Sequence, residues 1–113
     1  MLIKRDQTKK VDNSSTCTVW EYDYPSRNSS FGTSLINGRY PESGKVLNTE
    51  CEELYFVISG SGTVHTPKGD FDIEQEDLYY FEANEPYWVE GNNLFITLFN
   101  SPKWSMEQHR VVE

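Results

Sequence analysis

The stretch Glu52-Glu53-Leu54-Tyr55-Phe56-Val57-Ile58-Ser59-Gly60-Ser61-Gly62 decides the fold of this chain. From Glu53 to Ser59 nearly every residue is β-branched, aromatic or aliphatic, the composition of a strand that is covered on both sides. With a period of two, Glu53, Tyr55 and Val57 share one face, and Leu54, Phe56 and Ile58 share the other. The glycines that follow predict a turn at Gly60-Ser61-Gly62, with Thr63 to Thr66 running back as the second arm of a hairpin.

Outward from this stretch, short strands alternate with turn signals. Thr16 to Tyr24 places Cys17, Val19 and Glu21 on one face and Thr18, Trp20 and Tyr22 on the other. A polar turn over Pro25 to Ser30 leads to Phe31 to Tyr40, a strand interrupted by glycines and broken by Pro41-Glu42-Ser43-Gly44. After a tight turn at Pro67-Lys68-Gly69-Asp70 come Phe71 to Glu74, Asp77 to Phe81, Tyr87 to Val89 and Leu94 to Phe99. No window has a convincing helical period, and only one or two turns fit Trp104 to Arg110. About eight short strands at this spacing predict an all-β sandwich or closed roll.

The 113 residues accommodate one domain spanning 1–113, with a core over about 31–100, N-terminal strands within 1–30 and a C-terminal tail at 101–113. Aromatic residues make up 14% of the chain, too many buried-type rings for a disordered one. The net charge is −8, and between Glu42 and Glu90 twelve acids face only Lys45 and Lys68. An acidic body repels phosphate backbones and argues against nucleic-acid binding. No apolar run approaches the roughly 20 residues that span a bilayer. Met1-Leu2-Ile3-Lys4-Arg5 lacks a secretory leader, so a cytoplasmic location and reduced thiols at Cys17 and Cys51 are expected.

Glu53, six residues and then Gly60 resemble the second half of the first motif of the cupin superfamily, which reads G, five residues, H-x-H, three or four residues, E, six residues, G. The segment from Glu76 to Trp88 resembles the second motif: G, five residues, P-x-G, two residues, H, three residues, N. The fifteen residues between Gly60 and Glu76 match a short inter-motif linker, and the resemblance covers roughly 40–99. It implies a single-domain cupin β-barrel, a double-stranded β-helix or jelly roll, with a short C-terminal tail. The departures bear on function. The first motif's histidines fall on Leu47 and Thr49, or on Val46 and Asn48. The second motif's Gly, Pro, Gly, His and Asn fall on Glu76, Glu82, Asn84, Tyr87 and Gly91. Of the superfamily's four metal ligands only Glu53 is matched, so neither metal nor other cofactor is expected.

The resemblance points the Glu53 face into the barrel and brings Tyr87 beside Glu53. A carboxyl among rings is desolvated, which tunes it as an acid or base, or it simply accepts hydrogen bonds from tyrosine hydroxyls. Tyr55, Tyr87 and Arg39 are candidate ligand-binding residues, Arg39 as a clamp for an anionic group. Glu53, Tyr87 and His109 are candidate catalytic residues, His109 if the tail folds over the barrel mouth. By alternation His65 points outward. Two functions follow: a module that binds a small polar, carbohydrate-like ligand, or a metal-independent sugar or nucleotide-sugar isomerase or epimerase using Glu53 with Tyr87 or His109. A third, a metal-dependent cupin, needs non-standard ligands from Cys51, Glu53, His65 and His109. The apolar Leu54-Phe56-Ile58 face needs cover, which predicts a homodimer.

Overall fold

The computed structural model of the chain describes all of Met1–Glu113. The strands in chain order are β1 (Lys9–Ser14), β2 (Cys17–Tyr22), β3 (Ser30–Tyr40), β4 (Lys45–Asn48), β5 (Glu52–Thr66), β6 (Gly69–Glu74), β7 (Leu78–Phe81), β8 (Trp88–Ser101) and β9 (His109–Val112). Helix is confined to two 3-10 turns, Arg5–Gln7 and Met106–Gln108, so the all-β expectation holds and no helix could cross a membrane. The main sheet runs β1-β2-β3-β8-β5-β6, antiparallel throughout, and β7 pairs with the first half of β5. Strands β4 and β9 form a separate two-stranded sheet. It is tied to the segment before β8 by a reciprocal pair of backbone hydrogen bonds between Val46 and Tyr87, each 2.9 Å.

The hairpin expected at Gly60 does not form. Strand β5 continues unbroken to Thr66, and β8 runs through Gly91 where the pattern predicts two strands. The two long strands pair with each other from Glu52↔Ser101 to His65↔Trp88, with register shifts around Ser59. Gly60 sits at one shift with φ +78°, and any side chain there would strike the backbone of Asn93. Gly91 is likewise pressed on the Ile36 carbonyl of β3. These glycines let neighbouring backbones close up and bend past a bulge; they do not reverse the chain. Two positions of the cupin-like second motif keep the backbone that glycine favours: Glu76 has φ 71° and Asn84 φ 66°.

The inner face carries the core, with Val57, Val64, Val89, Leu94 and Ile96 fully buried. Cys17 and Val19 of β2 join it, and both cysteines are free thiols. On the opposite face of β5, Phe56 and Ile58 are each 38% exposed, and Leu78, Tyr80, Phe31 and Phe99 extend this uncovered apolar surface across β7, β8 and β3.

His65 lies outward, as alternation predicts. Its ring stacks on Trp88 at 3.7 Å, Nδ1 is 2.6 Å from Asp70 and Nε2 is 2.8 Å from Glu90. Burial works against the charged ring, but hydrogen bonds and charge from the two carboxylates outweigh it and raise the pKa. The folded state therefore holds this proton more tightly than the unfolded chain does. That stabilisation is complete below the unfolded pKa of about 6.5 and is lost as pH rises through the folded value. His65→Gln should lower the melting temperature most near about pH 6 and least above about pH 8. Thermal melts across that range check it, and an equal loss at both ends would rule out a contribution from ring charge.

Candidate functional site

Three parts of the chain meet at the buried Glu53 carboxyl. Glu53 and Tyr55 project from alternate positions of β5, so both face inward. Asn100 on β8 is the direct cross-strand partner of Glu53 and is 6% exposed. Its Nδ2 donates to Glu53 Oε2 at 2.9 Å and to Cys51 Sγ at 3.5 Å. Tyr87 arrives from the turn before β8. Glu85, its side chain 4% exposed, braces that turn by accepting from the Glu82 amide at 2.9 Å and from the Tyr79 hydroxyl at 3.0 Å. The Asn84 amide donates to the Asn48 carbonyl at 2.7 Å, and with the Val46 bridge this aims Tyr87 at the interior. The Tyr87 hydroxyl donates to Glu53 Oε1 at 2.8 Å, and the Tyr55 hydroxyl donates to that of Tyr87 at 3.4 Å. Phe81 packs against both rings, its centroid 4.1 Å from that of Tyr87 and 4.8 Å from that of Tyr55.

Burial dominates the electrostatics. It pushes the Glu53 carboxyl up, and the hydrogen bonds from Asn100 and Tyr87 offset part of that rise. Burial, and next the charge of Glu53, push the Tyr87 and Tyr55 phenols far above their usual range, so both remain donors. The thiols of Cys17 and Cys51 are pushed up to about 11, mainly by desolvation. Desolvation also raises Tyr40, with Cys17 and Glu53 adding to it. The groups that perturb one another here are acids; no cation is among them.

Glu53, Tyr55 and Tyr87 thus come together, and two other candidates lie elsewhere. Arg39 stacks on Trp88 at 4.3 Å and donates to the carbonyls of Pro41 and Gly44 at 2.6 and 3.0 Å. Its guanidinium holds the turn after β3. His109 begins β9 beside Trp104, with ring centroids 5.9 Å apart, and makes no side-chain hydrogen bond to Glu53 or Tyr87. Burial and then Arg110 lower its pKa. The tail does fold back, but its neighbour Gln108 is the residue inserted: it is 2% exposed and accepts from the Cys51 amide at 2.8 Å.

Asn100 and Gln108 are the members that motif spacing misses. Asn100 has a signal, as it continues the inward series Leu94, Ile96, Leu98 on β8 with a polar side chain. Gln108 has none, lying in a 3-10 turn without periodicity.

The donor set does not fit the metal centre that cupins use. No group of three or more His, Cys, Asp or Glu side chains is placed to hold an ion. His65 is tied to two carboxylates on the outer face, and Glu53 is met by an amide and a phenol. The arrangement joins a carboxyl whose pKa is raised by burial to a chain of two phenols. Two surface hollows, of about 550 and 590 Å³, are lined by other residues, and Glu53, Asn100, Tyr87 and Tyr55 are each 7% exposed or less.

Because Glu53 binds its proton more tightly when folded, stability falls as pH rises from the unfolded pKa of about 4.3 through the folded one. Glu53→Gln removes that slope. Relative to the parent, the variant should gain stability with pH over this window, by about 1.4 kcal/mol per unit of raised pKa. Urea melts at a series of pH values measure the gain; a pH-independent difference would show that the carboxyl titrates as if unfolded.

No known protein-family profile matches the chain, and no curated sequence does. Solved structures do match. A tyrosine-to-phenylalanine variant of Streptomyces Pac13 with uridine, from a nucleoside dehydratase, superposes with a TM-score of 0.90 at 14% identity, covering 100% of this chain and 90% of that one. Ectoine synthase from P. lautus gives 0.77 at 14% identity, with 100% and 91% covered. KdgF from Halomonas sp. gives 0.75 at 9% identity, with 92% and 96% covered. Identities this low speak for the fold alone, and the chain has the all-β fold of these cupin-type proteins.

Proposed function

We propose that this protein is a cytoplasmic, metal-independent small-molecule binder. Its site takes a neutral polar ligand, a carbohydrate or the sugar of a nucleoside, on Glu53, Tyr87, Tyr55 and Asn100. The observation that carries this reading is the buried Glu53 carboxyl, bonded to Tyr87 at 2.8 Å and Asn100 at 2.9 Å inside an aromatic wall. Carboxyl, amide and phenol groups exchange hydrogen bonds with sugar hydroxyls, and rings suit the apolar C–H faces of a sugar. Neutrality follows from the charge inventory: with Arg39 committed to backbone carbonyls, an anionic group would meet acids without a counter-ion. The fold likeness to a nucleoside dehydratase seen with uridine makes a nucleoside a reasonable first probe.

A second reading is favoured by the Tyr55–Tyr87–Glu53 relay together with the raised Glu53 pKa. In a sugar or nucleotide-sugar isomerase or epimerase, the Glu53 carboxylate would take a proton from the carbon next to a carbonyl, leaving an enolate and a protonated Glu53. It would then return the proton to carbon, with Tyr87 orienting the carboxylate before the first step and after the second. No nucleic acid or membrane takes part in either reading.

Titration of chelator-treated protein with uridine and with neutral sugars, read as a melting-temperature rise, tests the proposal. Ligand at 100 times Kd should add about 2.7 kcal/mol of stability. Tyr87→Phe should weaken binding by about tenfold through the lost hydrogen bond. A response that appears only when a divalent cation is restored would overturn it. Separately, the exposed Phe56 and Ile58 face is expected to pair two copies of the chain. Light scattering should give twice the 13.1 kDa chain mass, reverting to monomer in Phe56→Lys; a parent that is already monomeric would exclude the dimer.

A further inference from the structure

Glu53, Asn100, Tyr87 and Tyr55 are each 7% exposed or less, so a small molecule gains full access to them only where the fold opens further. We propose that the C-terminal segment 102–112 is a strap that gates this cluster, and that the Gln108 side chain is its latch. The strap is held differently from the rest of the molecule. Strand β9 pairs only with β4, over Lys45↔Val112 to Asn48↔His109, and neither belongs to the main sheet. Its apolar residues do little to anchor it: Met106 is 78% exposed and Val111 63%. The anchors are polar instead. Trp104 Nε1 donates to Asn48 Oδ1 at 2.9 Å, and the Trp104 amide donates to Ser30 Oγ at 3.1 Å.

Gln108 is the one buried side chain of the segment. Its Oε1 accepts from the Cys51 amide at 2.8 Å, its Nε2 donates to the Lys103 carbonyl at 3.2 Å, and its carbonyl accepts from the Thr49 amide at 2.9 Å. From Cys51 the contacts lead inward: Asn100 Nδ2 lies 3.5 Å from Cys51 Sγ and 2.9 Å from Glu53 Oε2. A segment fixed by hydrogen bonds and one short ladder, with almost no core packing, opens at lower free energy than the sheet beneath it. Releasing Gln108 frees the Cys51 amide and loosens the path through Cys51 and Asn100 to Glu53. The gate concerns the same cluster as the ligand proposal, yet its motion is read without any ligand, so either can fail alone.

The two buried cysteines supply the test. Both thiols are buried, and burial raises the pKa of both, so each is labelled only when the fold around it opens, and each is compared with itself with and without Gln108→Ala. Cys17 lies on β2 of the main sheet, where its thiol contacts Ser34 of β3, and so reports on opening of that sheet. Labelling by a chromogenic disulfide reagent is followed under native conditions in Cys17→Ser and in Cys51→Ser. Cys51 should react at least about tenfold faster than Cys17, and Gln108→Ala should speed Cys51 by about tenfold more while leaving Cys17 unchanged. Equal rates at the two thiols, or equal acceleration of both, would mean that opening is global and that there is no gate. Hydrogen exchange on the unmodified protein gives an answer even if Gln108→Ala does not fold. The Cys51 and Thr49 amides should exchange well before those paired along β5 and β8, and equal protection would overturn the proposal.

Discussion

The structure turns on keeping one carboxyl inside a β-fold. Glu53 occupies an inward position of the longest strand, where an unpaired charge would be far more costly than any single apolar contact is stabilising. The chain meets this in two ways. It supplies hydrogen-bond donors from two directions, Asn100 on the neighbouring strand and Tyr87 from the turn before β8. It also surrounds them with rings that favour the protonated acid. A fully bonded polar group inside an apolar shell specifies its surroundings closely, because any slip in register leaves a donor or acceptor unmatched.

The long β5–β8 pair makes that register possible. One strand presents Glu53, Tyr55 and Val57 to the interior while the other presents Ile96, Leu98 and Asn100 opposite them. The first half of β5 turns its other edge to β7 and the second half to β6, so one strand serves two neighbours. Gly60 and Gly91 stand where the backbones press closest, and a side chain at either would force the strands apart. The small β4–β9 sheet joins this pair through the Val46–Tyr87 bridge just before β8.

Charge is sorted accordingly. The interior holds acids and potential acids, whereas the cations sit at the periphery. Arg39 lies over Trp88, Lys68 lies beside Glu82 at 3.3 Å, and Lys103 is 3.9 Å from Asp23. The two surface lysine pairs are solvent-exposed and contribute little to stability. Their placement matters more for what it withholds from the interior, which is any fixed positive charge. The Glu53 carboxyl is met there by an amide and a phenol, both neutral hydrogen-bond donors.

Period-two alternation was enough to read the all-β class, the inward face of β5 and the outward placement of His65, because a strand's faces follow from the order of its residues alone. The cupin-like spacing also carried Glu53 and Tyr87, and Asn100 could have been added from the inward series on β8. Glycine was ambiguous: Gly60 reads as a turn, and only the strand beside it shows why the residue must lack a side chain. The tail was illegible for a related reason. His109 carries the chemically conspicuous side chain, yet Gln108 enters the interior, because the choice depends on how β9 docks on β4 and where the Cys51 amide lies. Arg39 likewise resembles an anion clamp until the turn it stabilises is seen. The sequence by itself thus determined the class of fold and which strand residues face inward, both local properties of the chain. The tertiary structure decided which polar groups meet at Glu53, since those partners come from strands and turns far apart in sequence.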